Sequence, residues 1–165
     1  MLFRSKDIVS GDFYWFREYE NHIYFAAVDC TGHGVPGAFM SIVGNNMLNH
    51  ALDVSIKEPT PAALLNTLSL NISTSLRQNT NKIGVKDGMD LALCAYNKQT
   101  KELQFAGAYN PLFLIRDNRL IEYRPDNFPI GDDFNEDFLS YTNHTVALQS
   151  GDMITSVTDI VISGR

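Results

Sequence analysis

Two aspartates lie at positions where the negative charge of a carboxylate has to be offset by a partner. Asp12 lies in the segment Ser10-Gly11-Asp12-Phe13, and Asp29 ends the apolar run from His22 to Val28. A carboxylate that ends an apolar strand costs free energy unless it is paired, hydrogen-bonded or bound to a metal. If the two segments form a hairpin, both carboxylates reach one end of a sheet, where Mg²⁺ or Mn²⁺ would bind them. Alternatively, Asp12 caps a turn and Asp29 caps the following helix.

The segment Thr31-Gly32-His33-Gly34 follows Asp29 and leads into a predicted helix. Gly32 and Gly34 permit close backbone approach, and a helix N-terminus favours an anion, so we expect these glycines to bind phosphate. His33 lies between the candidate metal ligand and this anion site, where it could protonate a leaving alkoxide as a general acid. The alternative for His33 is a surface or capping residue. We expect the other histidines to be structural: His22, His50 and His144.

Further aspartates follow apolar segments later in the chain. Asp159 comes after the predicted strand Met153 to Val157 and is a candidate ligand, although an aspartate there is most often in a turn. Asp87 and Asp90 flank Gly88-Met89 and are interpreted as turn residues, with lining of the site as the alternative. Asp152 is predicted to lie in the turn before the last strand.

Composition restricts the class of function. The 165 residues fit one domain, and 44% are hydrophobic, enough for a substantial core. A net charge of −6, without clusters of Lys and Arg, argues against nucleic acid and anionic membranes as partners. No apolar run approaches the roughly 20 residues of a membrane span. Two cysteines, Cys30 and Cys94, do not form a disulfide framework; reduced core thiols and a cytoplasmic location are expected.

Hydrophobic periodicity predicts strands, then two helices, then strands, an α+β order rather than alternating parallel units. One helix is expected from about Pro36 and the other from Pro61, after the cap Thr60. The first helix is predicted to bury the stripe Phe39, Ile42, Val43, Met47 and Ala51, and the second Leu64, Leu65, Leu68, Ile72 and Leu76.

The predicted strands are 13–19, 22–28, 91–96, 103–106, 111–116, 120–123, 142–148 and 153–158. Loops are expected over 78–87 and over the acidic segment 126–137. We expect an antiparallel sheet pair with both helices on one face.

These segments resemble, in order, the SpoIIE-like branch of the PPM phosphatases, bacterial relatives of protein phosphatase type 2C. The resemblance covers nearly the whole chain, and its first two motifs are the most specific. The motifs are Ser10-Gly11-Asp12-Phe13-Tyr14, Val28-Asp29-Cys30-Thr31-Gly32-His33-Gly34-Val35-Pro36-Gly37-Ala38, Asp87-Gly88-Met89-Asp90, Phe105-Ala106-Gly107-Ala108-Tyr109-Asn110-Pro111, Pro129-Ile130-Gly131, Ser150-Gly151-Asp152 and Thr158-Asp159.

The resemblance implies an α-β-β-α sandwich of two antiparallel sheets with flanking helices. It implies two Mn²⁺ or Mg²⁺ ions and hydrolysis of phosphoserine or phosphothreonine in a protein. By position, Asp12, Asp29 and Asp159 are then metal ligands, Asp29 bridges both ions, and Cys30 contributes its main-chain oxygen. The partners implied are phosphorylated signalling proteins such as STAS-type anti-sigma-factor antagonists, and a homodimer is also considered.

Two departures from the family pattern leave alternatives open. Ile160 follows Asp159, where the family usually has Gly, and Arg165 ends the sequence before the family's final metal-binding Asp. We therefore expect residues 1–165 to be a partial phosphatase domain, truncated at both ends. The alternatives are a degenerate, non-catalytic module that binds phosphoproteins, and a metal hydrolase acting on a small phosphate ester.

Overall fold

The computed structural model describes residues 11–31, 34–55, 57–79, 88–131 and 140–156, without the side chains of 75–79. Two strands, two helices and six further strands follow one another along the chain. The strands are β1 (Phe13–Tyr19), β2 (His22–Cys30), β3 (Met89–Asn97), β4 (Glu102–Ala108), β5 (Leu112–Arg116), β6 (Arg119–Tyr123), β7 (His144–Ala147) and β8 (Met153–Ser156). The helices are α1 (Gly34–Asp53) and α2 (Pro61–Asn79).

The larger sheet has five antiparallel strands in the order β1-β2-β3-β4-β7. Its first two strands form the predicted hairpin, with Phe13 opposite Val28 and Tyr19 opposite His22. Glu20 has a φ of 51° at the turn between them. Side chains alternate between the two faces of a sheet, so β2 presents Tyr24, Ala26 and Val28 on the face opposite that of Phe25, Ala27 and Asp29.

Both helices pack on one face of this sheet. Their buried side chains share a core with that face; among the largest are Tyr24, Leu48, Leu65, Leu68 and Leu93. Thr60 caps α2 as predicted, accepting a hydrogen bond from the Ala63 amide at 3.2 Å. The Trp15 indole of β1 donates to the Asn49 side chain of α1 at 3.0 Å, which fixes the helix against the hairpin.

The predicted buried stripe of α1 is wrong for Phe39 and Ile42 and partly right for Val43 and Met47. Phe39 and Ile42 are 65% and 61% exposed, and Val43 and Met47 are only partly buried, whereas Ala51 is buried as expected. The buried positions are instead Gly37, Met40, Gly44, Leu48, Ala51 and Leu52. On α2, the predicted face is confirmed for Leu64, Leu65, Leu68 and Ile72, which are buried, and Leu76 falls outside the described side chains.

The smaller sheet has three antiparallel strands in the order β6-β5-β8. It packs on the face of the larger sheet that the helices leave free, around a second core that includes Cys94, Leu103, Phe105, Leu112 and Leu114. The predicted α+β class, with two antiparallel sheets and flanking helices, is confirmed. Within the described residues, no helix is both long and apolar enough to cross a membrane.

Candidate active site

Three carboxylates lie in a row across one end of the larger sheet. Asp29 is the direct partner of Asp90 in the register of β2 and β3. Asp12 precedes Phe13, whose partner is Val28, so Asp12 lies next to Asp29 on the other side. Directly opposed residues in an antiparallel pair have Cβ atoms roughly 4.5–5.5 Å apart and side chains on the same face. The hairpin thus brings Asp12 and Asp29 together as predicted.

Asp90 lies in a strand, so its interpretation as a turn residue is wrong. It is the second residue of β3 and lies on the face directed at the second sheet. Burial raises the pKa of its carboxyl group above the usual range for aspartate. A desolvated carboxylate next to a second one suits a cation ligand or a proton carrier, since such settings recur at functional sites. Asp87, its counterpart in the sequence, lies outside the described residues.

An apolar cleft lies between the two sheets, on the same face of the larger sheet as Asp29 and Asp90. Ala27 and Ala92 stand two residues further along the strands from Asp29 and Asp90, on the same face, and line a cleft of about 410 Å³. Phe25 and Cys94 continue this wall of the cleft, and β8 forms the other wall. The side chains of Asp29 and Asp90 thus lie on the sheet face that borders this cleft, not on the face that the helices cover.

Cys30 points away from the carboxylate row. Its side chain is 3% exposed and belongs to the core beneath the helices. Burial raises the pKa of the Cys30 thiol to about 12, and the nearby negative charges of Asp29 and Asp12 add to this shift. A protonated thiol in a hydrophobic core is a poor ligand for a hard cation, so only the main-chain oxygen of Cys30 suits the role implied by the family resemblance.

Helix α1 begins close to this site. It starts at Gly34, whose φ of 67° is a left-handed conformation that glycine adopts without strain. A Cβ atom built on Gly34 would have no atom within 4 Å among the described residues, apart from its chain neighbours and the backbone of α1. The start of the helix only four residues after Cys30 places free amides of the first turn near the carboxylate row. The predicted roles of Gly32, His33 and Asp159 concern residues outside the described part of the chain.

Hydrogen bonds connect the backbone next to the carboxylate row with the rest of the fold. The Thr31 hydroxyl and amide bind the Gly88 peptide group at 2.9–3.1 Å. Met89 and Ile130 exchange two backbone hydrogen bonds of 3.2 and 2.9 Å, which attaches the start of β3 to the segment Pro129-Ile130-Gly131. The buried Ser69 of α2 accepts a hydrogen bond from the Gly131 amide.

His22, His144 and Asp152, interpreted from the sequence as structural, make structural contacts. His22 is buried at the opposite end of β2 beside Glu58, and His144 stacks on Phe105. His50 is exposed near the end of α1. Asp152 forms a bidentate ion pair with Arg116 and accepts from the Gln149 amide, as suits its predicted turn.

The donor chemistry of the row fits a hard divalent cation, because carboxylate and main-chain oxygens are the ligands that Mg²⁺ and Mn²⁺ prefer. Among the described residues, however, no three acidic, His or Cys side chains converge on one point. The backbone register is what aligns Asp12, Asp29 and Asp90. The fit therefore rests on ligand type and placement.

Comparison with known proteins defines the class. The SiaA-PP2C domain of Pseudomonas aeruginosa matches with a TM-score of 0.81 and 30% identity, over 96% of this chain and 59% of that one. The structure of the PP2C phosphatase domain of SpoIIE from Bacillus subtilis, with a fragment of its regulatory domain, matches at 0.70 and 22% identity, over 90% of this chain and 41% of that one. RsbX in complex with magnesium has a TM-score of 0.67 at 12% identity, covering 96% of this chain and 70% of that one, and shows the shared fold. A search of curated proteins found no match.

The fold is thus that of PP2C-type phosphatase domains. The model of the family Stage II sporulation protein E (SpoIIE) matches residues 19–165, and the chain belongs to this family. Asp12 precedes the matched residues, whereas Asp29 and Asp90 lie within them. The chain spans 59% and 41% of the lengths of the SiaA and SpoIIE chains that it matches.

Proposed function

We propose that this domain is a metal-dependent protein phosphatase that hydrolyses phosphoserine or phosphothreonine on a signalling protein. The observation that carries the proposal is the alignment of Asp12, Asp29 and Asp90 across three neighbouring strands, next to the first turn of α1. Membership of the SpoIIE family and the PP2C-like fold support the same chemistry. Within the described residues, this row is the feature whose ligand type and placement suit phosphate-ester hydrolysis.

Each residue has a proposed role. Asp12 and Asp29, together with the Cys30 main-chain oxygen and Asp159, would hold two Mn²⁺ or Mg²⁺ ions. When bound, these ions lower the pKa of a water molecule and offset charge on the phosphoryl group. The amides around Gly32 and Gly34 bind phosphoryl oxygens at the start of α1. His33 donates a proton to the alkoxide of the leaving serine or threonine.

The proposed substrate is a phosphorylated regulatory protein of the cytoplasm. Phosphorylated STAS-type anti-sigma-factor antagonists, the partners implied by the resemblance to SpoIIE-like phosphatases, are the first substrates to test. A net charge of −6 argues for short-range recognition at the phosphate and against electrostatic steering of another acidic surface.

The test is hydrolysis of phosphoserine, phosphothreonine and phosphotyrosine peptides by the purified chain with and without Mn²⁺. We expect Mn²⁺-dependent release of phosphate from the first two peptides, and a loss of at least about 100-fold in Asp29→Asn. Asp117→Asn is the matched control, because Asp117 is exposed in the turn between β5 and β6, with a φ of 50° that Asn tolerates. Equal rates for wild type and Asp29→Asn would refute the proposal.

A second candidate is a non-catalytic module that binds phosphoproteins. The observation in its favour is that no three candidate ligands converge on one point within the described residues. Calorimetry separates the two candidates. Two Mn²⁺ sites per chain favour the phosphatase, whereas phosphopeptide binding without Mn²⁺ binding favours the module. Hydrolysis of p-nitrophenyl phosphate but of none of the peptides would favour an enzyme for small phosphate esters.

A further inference from the structure

We infer that Thr31 is a positioning residue for the proposed phosphatase site, through a three-bond clamp on the Gly88 peptide group. The Thr31 amide donates to the Gly88 carbonyl at 3.1 Å, and its hydroxyl donates to the same carbonyl at 3.0 Å. The hydroxyl also accepts from the Gly88 amide at 2.9 Å. These residues are 57 positions apart in sequence and directly follow the last pair of β2 and β3, Cys30 with Met89.

The hydroxyl replaces a bond of the regular ladder. In a hydrogen-bonded antiparallel pair, the two residues exchange both of their N–H···O=C bonds. Between Thr31 and Gly88 one of these bonds is made by the backbone, and the Gly88 amide donates to the Thr31 hydroxyl instead of to the Thr31 carbonyl. The chain can then leave the sheet at Thr31 while Gly88 remains bonded, and α1 begins three residues later at Gly34.

Gly88 is held from its other side as well. A Cβ atom built on Gly88 would lie 3.1 Å from the Ile130 carbonyl oxygen, so this backbone is packed closely against the segment that pairs with Met89. Gly88 is therefore fixed by Thr31 on one side and by Ile130 on the other. Since Ile130 is fully buried, this side of the clamp is rigid.

The clamp lies at the end of the β2–β3 hydrogen-bond ladder where Asp29 and Asp90 are paired. Thr31 is two residues beyond Asp29, and Gly88 is two residues before Asp90, so the three bonds oppose fraying immediately next to the Asp29–Asp90 pair. Strand ends open at low free-energy cost when such bonds are missing. Thr31 is exposed, so its hydroxyl contributes hydrogen bonds and little core packing. The inference rests on the proposed function, because it gives Thr31 the task of aligning two carboxylates for cations.

The test compares Thr31→Val, which keeps the shape and removes the hydroxyl, with Thr31→Ser, which restores it. Mn²⁺ affinity by calorimetry and the Mn²⁺ concentration for half-maximal hydrolysis of p-nitrophenyl phosphate are measured on the same samples. We expect Mn²⁺ binding about 10–100-fold weaker in Thr31→Val, the range for residues that orient metal ligands, and values near wild type in Thr31→Ser. Thr67→Val is the matched control, because the exposed Thr67 hydroxyl donates to the Ala63 carbonyl within α2.

Unchanged Mn²⁺ affinity in folded Thr31→Val would overturn the inference, as would an equal loss in Thr31→Ser. A merely structural role would lower the melting temperature without changing either Mn²⁺ constant. Failure of the proposed function looks different, because wild-type protein would then show no Mn²⁺-dependent hydrolysis. In that case calorimetry still decides for Thr31, since Mn²⁺ binding does not require turnover.

Discussion

Asp29 of β2 and Asp90 of β3 are direct partners in an antiparallel register, with their side chains on the same face of the sheet. Two acidic residues opposed in this way are unfavourable, because like charges across a strand pair repel. Their placement at the sheet end that adjoins the first turn of α1 is the arrangement that the proposed cation site would use. The remaining features of the site are arranged around this pair.

Replacement of Asp90 should separate stability from function. In Asp90→Asn a partly buried carboxylate opposite Asp29 becomes neutral, so we expect the metal-free protein to gain about 0.2–1 kcal/mol in free energy of unfolding. The same change should weaken Mn²⁺-dependent hydrolysis. Urea unfolding in EDTA and phosphatase assays measure the two effects. A less stable metal-free variant with normal activity would contradict the pairing of these carboxylates at a cation site.

Gly107 of β4 should not tolerate a side chain. A Cβ atom there would lie 2.4 Å from the Asn110 carbonyl oxygen and 2.8 Å from the Pro125 Cβ. Both neighbours are rigid, so the backbone itself would have to move. We expect Gly107→Ala to lower the free energy of unfolding by about 1–3 kcal/mol or more, measured by chemical denaturation. A loss below about 0.5 kcal/mol would show that the segment 107–111 adapts readily.

Cys30 should be dispensable as a side chain. Because burial raises its thiol pKa to about 12, we expect no reaction with a thiol reagent at pH 8 until the protein unfolds. Cys30→Ala should retain Mn²⁺-dependent hydrolysis within a few-fold, with a modest loss of stability from the cavity. If Cys30→Ala instead loses Mn²⁺ binding while it remains folded, the thiolate is a ligand and the assigned main-chain role is wrong.

The Arg116–Asp152 ion pair should stabilise the smaller sheet in a pH-dependent way. The hydrogen bonds from Arg116 and from the Gln149 amide hold the pKa of Asp152 at about 2, below the roughly 3.9 of an unfolded aspartate. Because the folded-state pKa is lowered, this stabilisation is fully present above about pH 5 and is lost as pH falls towards 2. The difference in melting temperature between wild type and Asp152→Asn should therefore shrink on acidification. A difference that stays constant from pH 6 to pH 3 would contradict this.

Local patterns in the sequence predicted the hairpin and the helix starts well. Alternating and aromatic-rich segments placed β1 at 13–19, as observed, and placed β2 correctly except for its last two residues. Thr60 and Pro61 predicted the start of α2 because capping depends on adjacent residues. Together with the hairpin, these signals placed Asp12 and Asp29 side by side.

The buried face of α1 could not be predicted in the same way. This helix is apolar on several sides, so more than one stripe satisfies helical spacing. Its observed buried face includes Gly37 and Gly44, which a hydrophobicity pattern does not favour. A Cβ on Gly44 would come within 2.6 Å of the Met89 sulfur atom, so the small residue lets the helix approach the sheet. Only the packed structure shows this.

The role of Asp90 also depends on long-range structure. Its partner Asp29 is 61 positions away, and the register between β2 and β3 is set by the whole sheet, not by the residues around Asp90. The flanking sequence Gly88-Met89 suggested a turn, whereas Gly88 is held by Thr31 and Ile130 as the start of a strand. Sequence spacing predicted that Asp12 and Asp29 lie side by side, whereas only the fold shows that Asp90 lies opposite Asp29.

The most direct test of the carboxylate row as a cation site is paramagnetic broadening of amide NMR signals by Mn²⁺ at less than one equivalent. The proposed site predicts that the signals of Asp29, Asp90 and Gly34 disappear first, while those of Asp117 and Asp152 at the far end of the smaller sheet persist. In Asp29→Asn this selective loss should require much more Mn²⁺. Broadening that begins at Asp117 or Asp152, or that is unchanged in Asp29→Asn, would contradict the account.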